Sequence, residues 1–299
     1  METIRKMNRV YLEKKLLEMR HVDKSAKKMN AKKFREEVKQ KTRKFKHYNV
    51  NAEGFVLDCG AGVGADIAAL LSINKQIEAV GIDMSRQALK FAKKHLPNKT
   101  HFVRADIQHL PFRKNTFNLI NVSNVLHHHP LTILKEVIGN LNETLKPNGT
   151  LFIREPCEPS EQDSLREEIT RFAHYLKEYE KIKSIVKSNK RKAHLRRLFL
   201  IFGYGTTYTS LLTKILAENN LKIEKIEKLR RKLDKSDIQE RLEKAEKEIR
   251  KARLTQAEKH YLLEKLSAIQ EKLKVIKPVG EKFVIIKACL LYTSPSPRD

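Results

Sequence analysis

The chain has 299 residues, 62 Lys/Arg against 36 Asp/Glu, a formal net charge of +26, no Trp and three cysteines. That length supports one large domain with additions and an ample core. Cys59, Cys157 and Cys289 are odd in number and widely spaced, which excludes a disulfide framework or a CxxC metal pair and fits a reducing cytosol.

The lysine-rich N-terminal stretch lacks the apolar segment of a signal peptide. No run approaches the ~18 apolar residues of a membrane helix, so a cytoplasmic protein without a transmembrane segment is expected. The charge is unevenly placed. Residues 1–47 carry 17 Lys/Arg against 6 Asp/Glu, while residues 48–156 carry 12 against 9 and are nearly balanced. Basic flanks around a near-neutral core point to RNA or another polyanion, or to an anionic membrane surface. Solvated helices in a lysine-rich protein account for the same bias.

Residues 3–46 lack Gly and Pro and show helical spacing in pieces, around Val10, Leu16, Leu17 and Met19. They predict a basic helical N-terminal extension, 1–47, either capping the core or standing apart from it. The apolar run Phe55 to Leu57 then reads as a buried strand. It ends on Asp58 and breaks into Gly60, Gly62 and Gly64, with a helix-like stretch from Ala65 to Leu71 behind them. Glycine lets the backbone turn sharply and lets a ligand lie against main-chain N–H groups. A helix N-terminus behind the turn adds donors and a positive partial charge. This is a site for a nucleoside-bearing ligand.

Two readings of the turn share that physics. Gly60-x-Gly62-x-x-Ala65, with Asp83 near the distance for gripping a ribose, fits a loose dinucleotide fingerprint and an NAD(P)-dependent oxidoreductase. The same residues also read Asp58-x-Gly60-x-Gly62-x-Gly64. Ile77 to Asp83 is a second strand ending on an acid, followed by Met84 and by Ser85, a candidate helix cap. Phe102 to Asp106 is a third, followed by Ile107-Gln108-His109-Leu110-Pro111-Phe112. Phe117 to Asn121, then Val125-Leu126-His127-His128-His129, and then Leu145-Lys146-Pro147-Asn148-Gly149-Thr150 into Leu151-Phe152-Ile153 complete the series.

In this order and spacing, the segments resemble the class I S-adenosylmethionine (SAM)-dependent methyltransferases, of the type 11-like group. The resemblance is close over roughly 50–156 and looser over 203–288. It implies an α/β fold: a Rossmann-like seven-stranded sheet with the last strand antiparallel, here with a helical N-terminal extension and helical insertions, over 48–288. Asn148 stands where the family usually has glycine, and Asn tolerates positive φ better than other side-chain-bearing residues.

The resemblance implies a cofactor, SAM, placed residue by residue. The glycine-turn backbone (Gly60, Gly62, Gly64) takes the amino-acid end, with Asp58 near its ammonium. Asp83 and Met84 take the ribose, and Asp106 with Ile107 the adenine. Asn124, just past the fourth strand, lies where the methyl should emerge. His127 and His128, with His129, are base candidates by position for an acceptor that must lose a proton. Equally, three histidines before Pro130 serve to cap or pack the next helix. Adjacent histidines alone do not form a metal site.

Beyond Pro156 the chain reads mostly as helix. In the family, an insertion after the fifth strand covers the substrate cleft, which makes 157–199 a candidate lid. Its run Lys181 to Arg197 holds eight basic residues and no acid, and also reads as an amphipathic helix with a wet basic face. Tyr204 and Tyr208 sit in a glycine-containing loop and either line an acceptor pocket or pack. Ser210 to Glu218 predicts a helix and Leu221 to Leu229 a sixth strand, with Ile223, Ile226 and Leu229 on its buried side.

In 235–276, Ile238, Leu242, Ala245, Ile249 and Ala252 step by four and three, as do Leu262, Leu266, Ile269, Leu273 and Ile276. Thr255-x-x-Glu258 between them makes a capping box. This predicts an antiparallel, coiled-coil-like hairpin, either a dimer or partner arm or a pair packed on the sheet's edge. Lys282 to Ala288 supplies the seventh strand. Residues 289–299 resemble translated sequencing-adapter read-through and are expected to be a non-native tail. A non-catalytic RNA-binding or scaffold protein keeping this fold remains the third reading, although a scaffold has no need of intact glycines and three acids.

Overall fold

The parallel strands that the sequence marks by apolar runs ending on acids lie side by side. The computed structural model describes residues 19, 22–129, 131–157, 209–230, 235–251, 255–275 and 282–291. Most of the candidate lid, with Lys181 to Arg197, and Tyr204, Tyr208 and residues 292–299 lie outside the described residues. Seven strands are present: β1 Phe55–Cys59, β2 Glu78–Asp83, β3 Thr100–Arg104, β4 Phe117–Ser123, β5 Leu145–Pro156, β6 Leu221–Arg230 and β7 Lys282–Leu290. Their order in the sheet is β3-β2-β1-β4-β5-β7-β6, with the last strand antiparallel, the arrangement expected.

β1 pairs in parallel with both β2 and β4, and its Asp58 stands opposite Gly81 on one side and Asn121 on the other. The strand order reverses between β1 and β4, and in open α/β sheets ligands bind at the carboxyl ends of strands at such a switch point. β1 and β4 are buried along most of their length, as strands of a parallel sheet covered on both faces are. Phe55, expected to be buried, is 41% exposed where β1 begins.

Helix α1 (Ala31–His47) starts at Asn30, whose side chain accepts from the Lys33 N–H at 3.0 Å. Lys44, Lys46 and His47 in its last turn complement the negative end of the helix dipole. Phe45 is fully buried and, with Tyr48, Val50 and Ala52, joins Phe152 and the apolar side of α2 (Ala65–Ile73) in one core cluster. The described part of the N-terminal extension therefore caps the core. Ser85 caps α3 (Arg86–His95) as expected, accepting from Ala88 N–H at 3.1 Å. Ser85 Oγ in turn donates to Asp23, within the helical residues 22–27. Helices α4 (Leu131–Thr144) and α5 (Thr209–Glu218) complete this part.

β6, the edge strand, corrects one expectation. Ile226 and Leu229 are 44% and 37% exposed, and, three residues apart on a strand of period two, they lie on opposite faces rather than on one buried side. Its Lys225 and Glu227 instead meet Tyr48, the ammonium 4.8 Å from the ring centre and the carboxylate 3.0 Å from the hydroxyl. β7 continues through Cys289 and Leu290, and Leu291 N–H reaches Asn220 O at 3.2 Å, so the fold extends past the boundary expected at 288. Asn148 does take the left-handed conformation, at φ 61°.

The chain divides into two compact units. One, from 15–155, 207–228 and 284–299, carries the sheet and its flanking helices. The other, from 1–14, 156–206 and 229–283, is described chiefly in α6 (Lys235–Lys251) and α7 (Gln256–Val275). These two helices contact each other and bury Leu242, Ala245, Ile249, Leu262, Leu266 and Ile269, six of the ten residues the repeat singles out; Leu273 is half-buried, and Ala252 and Ile276 lie outside the described residues. Lys259 Nζ donates to Arg250 O at 3.0 Å across their junction. Among the described residues, no helix is long and apolar enough to cross a membrane.

Candidate functional site

At the carboxyl end of β1 the chain reverses through three glycines in the left-handed region: Gly60 at φ 73°, Gly62 at 52° and Gly64 at 81°. The turn is pinned from the neighbouring strand. Asp83, ending β2, accepts from Gly62 N–H at 2.8 Å through one oxygen and from Ser85 N–H at 2.7 Å through the other. Burial raises the pKa of Asp83, and these backbone donors oppose the rise. Above the turn lies a cavity of about 320 Å³, within the range of small-ligand sites.

Eight of the sequence-predicted residues line this cavity: Gly60, Gly62, Asp83, Met84, Asp106, Ile107, Asn124 and His128. Asp106 lies two residues past β3, where its carboxylate accepts from Gln108 N–H at 3.2 Å. Asn124 sits at φ 59°, held by Arg154 from β5 through both its backbone N–H and its side-chain oxygen, each at 2.8 Å. His129 also lines the cavity, with its Nδ1 3.1 Å from Gln108 Nε2.

Three expected site residues stand behind the wall. Gly64 forms the N-cap of α2. His127 turns to Glu155, with its Nδ1 2.7 Å from Oε2, and Glu155 also accepts from the Val125, Leu126 and His127 N–H groups at 2.7, 3.0 and 3.3 Å. The Nδ1–H therefore donates to the carboxylate, which leaves Nε2 as the acceptor nitrogen of the neutral ring. Asp58 is the third. It is 1% exposed, takes a 2.6 Å bond from Asn121 Nδ2 on one oxygen, and has no hydrogen-bond partner on the other.

Sequence reasoning missed one side of the cavity. Met19, Val22, Glu37 and Lys41 line it from the N-terminal segment, and Asp66 from the first turn of α2. Lys41 Nζ binds Asp66, and Lys44 Nζ lies 3.6 Å from the other Asp66 oxygen. Burial alone would raise the Asp66 pKa, but these two ammonium groups hold it low. Lys41 is raised against its burial by the same pairing, while burial brings Lys44 down to about 8.

A family model described as a methyltransferase domain matches residues 50–220, more than half of the chain. The chain belongs to the class I SAM-dependent methyltransferases. That sets aside the dinucleotide reading of the turn. The chain is 32% identical, over 118 residues, to the ubiquinone/menaquinone biosynthesis C-methyltransferase UbiE of Wigglesworthia glossinidia brevipalpis, covering 37% of this chain and 46% of that one. The chain spans about half the length of the curated relatives it matches.

Its fold is that of the YcgJ protein of Bacillus subtilis, with a TM-score of 0.52 at 14% identity over 87% of this chain and all of that one. The Haemonchus contortus phosphoethanolamine N-methyltransferase 2, solved with phosphomonomethylethanolamine and S-adenosylhomocysteine, gives a TM-score of 0.51 at 16% identity, covering 85% and 53%.

The residues present fit SAM. A glycine cradle, an acid near each of the β2 and β3 ends, and the Asp66 carboxylate on the cavity wall suit a ligand carrying an ammonium and a ribose. Asp58 has a stability signature of its own. Burial, and then the neighbouring Asp66, push its pKa from 3.8 to about 8. The folded state thus holds a proton that the unfolded chain releases, and stability declines as pH rises from about 3.8 to about 8. Asp58→Asn should flatten that slope, so the variant gains on the wild type between pH 5 and pH 8 in thermal melts, by ~1–3 kcal/mol. A gap that does not change with pH would mean Asp58 is ionised throughout.

Proposed function

We propose that the chain methylates an acceptor through the cavity at the β1/β4 switch point. The observation that supports this best is the convergence there of the glycine turn, Asp83 and Asp106 with Asn124 and His128. In this reading the turn and Asp66 hold the amino-acid end of SAM, Asp83 and Met84 its ribose, and Asp106 and Ile107 its adenine. When bound, SAM supplies a methyl group activated by its sulfonium, ready for in-line transfer to a nucleophile. The chain's work is then chiefly to orient the partners and exclude water, which can supply several kcal/mol of such a barrier.

Asn124, fixed by Arg154, marks the mouth through which the acceptor approaches. His128 on the cavity wall, or His127 with Nδ1 held by Glu155, accepts a proton where the acceptor carries one. The exposed Lys32, Lys33, Arg35, Lys39, Arg43 and Lys46 on α1 support a polyanionic acceptor or docking partner such as RNA. A tritiated-methyl transfer assay over fractionated cell extract tests both parts. Incorporation that nuclease abolishes and protease spares is the expected result. Incorporation only into lipid or small-molecule fractions would remove RNA as acceptor, and no incorporation in any fraction, despite S-adenosylhomocysteine binding, would remove the catalytic reading.

A further inference from the structure

Helix α1 brings two opposite charges to the cavity one turn apart, Glu37 and Lys41. Lys41 does not reach open solvent as surface lysines do. Its side chain is 25% exposed and its ammonium is held on Asp66, the second residue of the helix behind the glycine turn. That places a fixed cation on the cavity wall, against the first turn of the helix that follows the glycines. The second Asp66 oxygen has no hydrogen bond but lies 3.6 Å from Lys44 Nζ, so two ammonium groups flank this one carboxylate. A lysine ammonium has three donors, and Asp66 cannot use all of them.

Resting on the cofactor reading above, we infer that Lys41 is a specificity residue that reads the carboxylate of the cofactor's amino-acid end, with Asp66 positioning the ammonium that does so. An amino-acid zwitterion needs a cation and an anion a few ångströms apart. Lys41 supplies the first, and Glu37 and Asp66 supply the second. The site therefore prefers a nucleoside bearing a whole amino acid over one that has lost its carboxylate. The selectivity comes from the N-terminal helix rather than from the glycine turn, whose Gly60, Ala61, Gly62 and Gly64 N–H groups are already bonded within the protein.

Isothermal titration of the full chain with S-adenosylhomocysteine, its decarboxylated analogue and 5′-methylthioadenosine tests this. The wild type should bind S-adenosylhomocysteine roughly 10- to 100-fold more tightly than the decarboxylated analogue, the worth of one charge-assisted hydrogen bond. Lys41→Met should remove most of that ratio by weakening S-adenosylhomocysteine alone, and Lys41→Arg should restore part of it. If Lys41→Met unfolds because Asp66 loses its partner, the double variant Lys41→Met/Asp66→Asn removes both charges; both ligands then lose the Asp66 contact to their ammonium, and the ratio between S-adenosylhomocysteine and the decarboxylated analogue alone is read, expected to fall towards one.

A Lys41→Met loss equal for all three ligands, or no loss at all, overturns the assignment while leaving the cofactor reading intact. A wild type that binds none of the three overturns the cofactor reading itself.

Discussion

Gly62→Ala is expected to fold nearly as well as the wild type and to lose S-adenosylhomocysteine affinity by about 100-fold, whereas Gly60→Ala is expected to lose stability first. A Cβ on Gly60 would lie 2.3 Å from Val125 Cγ2, so the strand-end loop that lines the cavity must move. Overpacking and left-handed strain together cost about 3 kcal/mol, a fall in melting temperature of roughly 6–12 °C for a domain of this size. A Cβ on Gly62 meets nothing closer than Gly60 O at 4.0 Å. Its conformational strain is about 1–2 kcal/mol, and the added methyl stands in the cavity, where the ligand must touch the backbone. Thermal melts beside titration calorimetry separate the two variants. Gly62→Ala binding within threefold of the wild type would show that the turn is not the cradle.

Glu155→Gln should be among the most destabilising single changes in the sheet unit. Glu155 is fully buried and accepts from three consecutive backbone N–H groups and from His127. An amide keeps one acceptor oxygen and turns a donor toward groups that also donate, leaving buried N–H groups unpaired. The expected cost is about 3–5 kcal/mol, seen as a lower urea midpoint at pH 7.

The pH dependence has a definite sign. Burial would raise the Glu155 pKa, but the His127 hydrogen bond and charge and the backbone donors bring it below 4.5. A depressed carboxylate stabilises the fold above its unfolded value and loses that contribution as pH falls through the folded value. The wild-type advantage over Glu155→Gln should therefore hold above about pH 4.5 and shrink below it. An advantage unchanged down to pH 3 would assign the cost to packing alone.

Much of the sheet could be read from local patterns. Apolar runs ending at Asp58 and Asp83, the glycine turn and the Ser85 cap each declare themselves within a few residues and are found where expected, while the third strand closes at Arg104, two residues before the acid expected to end it. Glu155 closes β5 with the same signal, an acid after an apolar strand, and could have been found by it. Other features leave no local trace. Lys41 meets Asp66 25 residues away, and nothing in a run of exposed lysines marks the two, Lys41 and Lys44, that turn inward.

Orientation was a second blind spot. Spacing put Asp58 and His127 near the cavity, but each side chain faces a buried partner behind its wall, Asn121 in one case and Glu155 in the other. At β6 a spacing of three was read as one face, although a strand alternates at every residue.

Helix α1 lies ahead of residue 50, where the span shared with the family begins, yet it closes part of the ligand cavity and inserts Phe45 beneath the sheet. A recombinant fragment trimmed to that shared span would be left with a gap in its own binding chamber and an uncovered greasy recess, so a stable fragment has to be cut wider than its ancestry suggests.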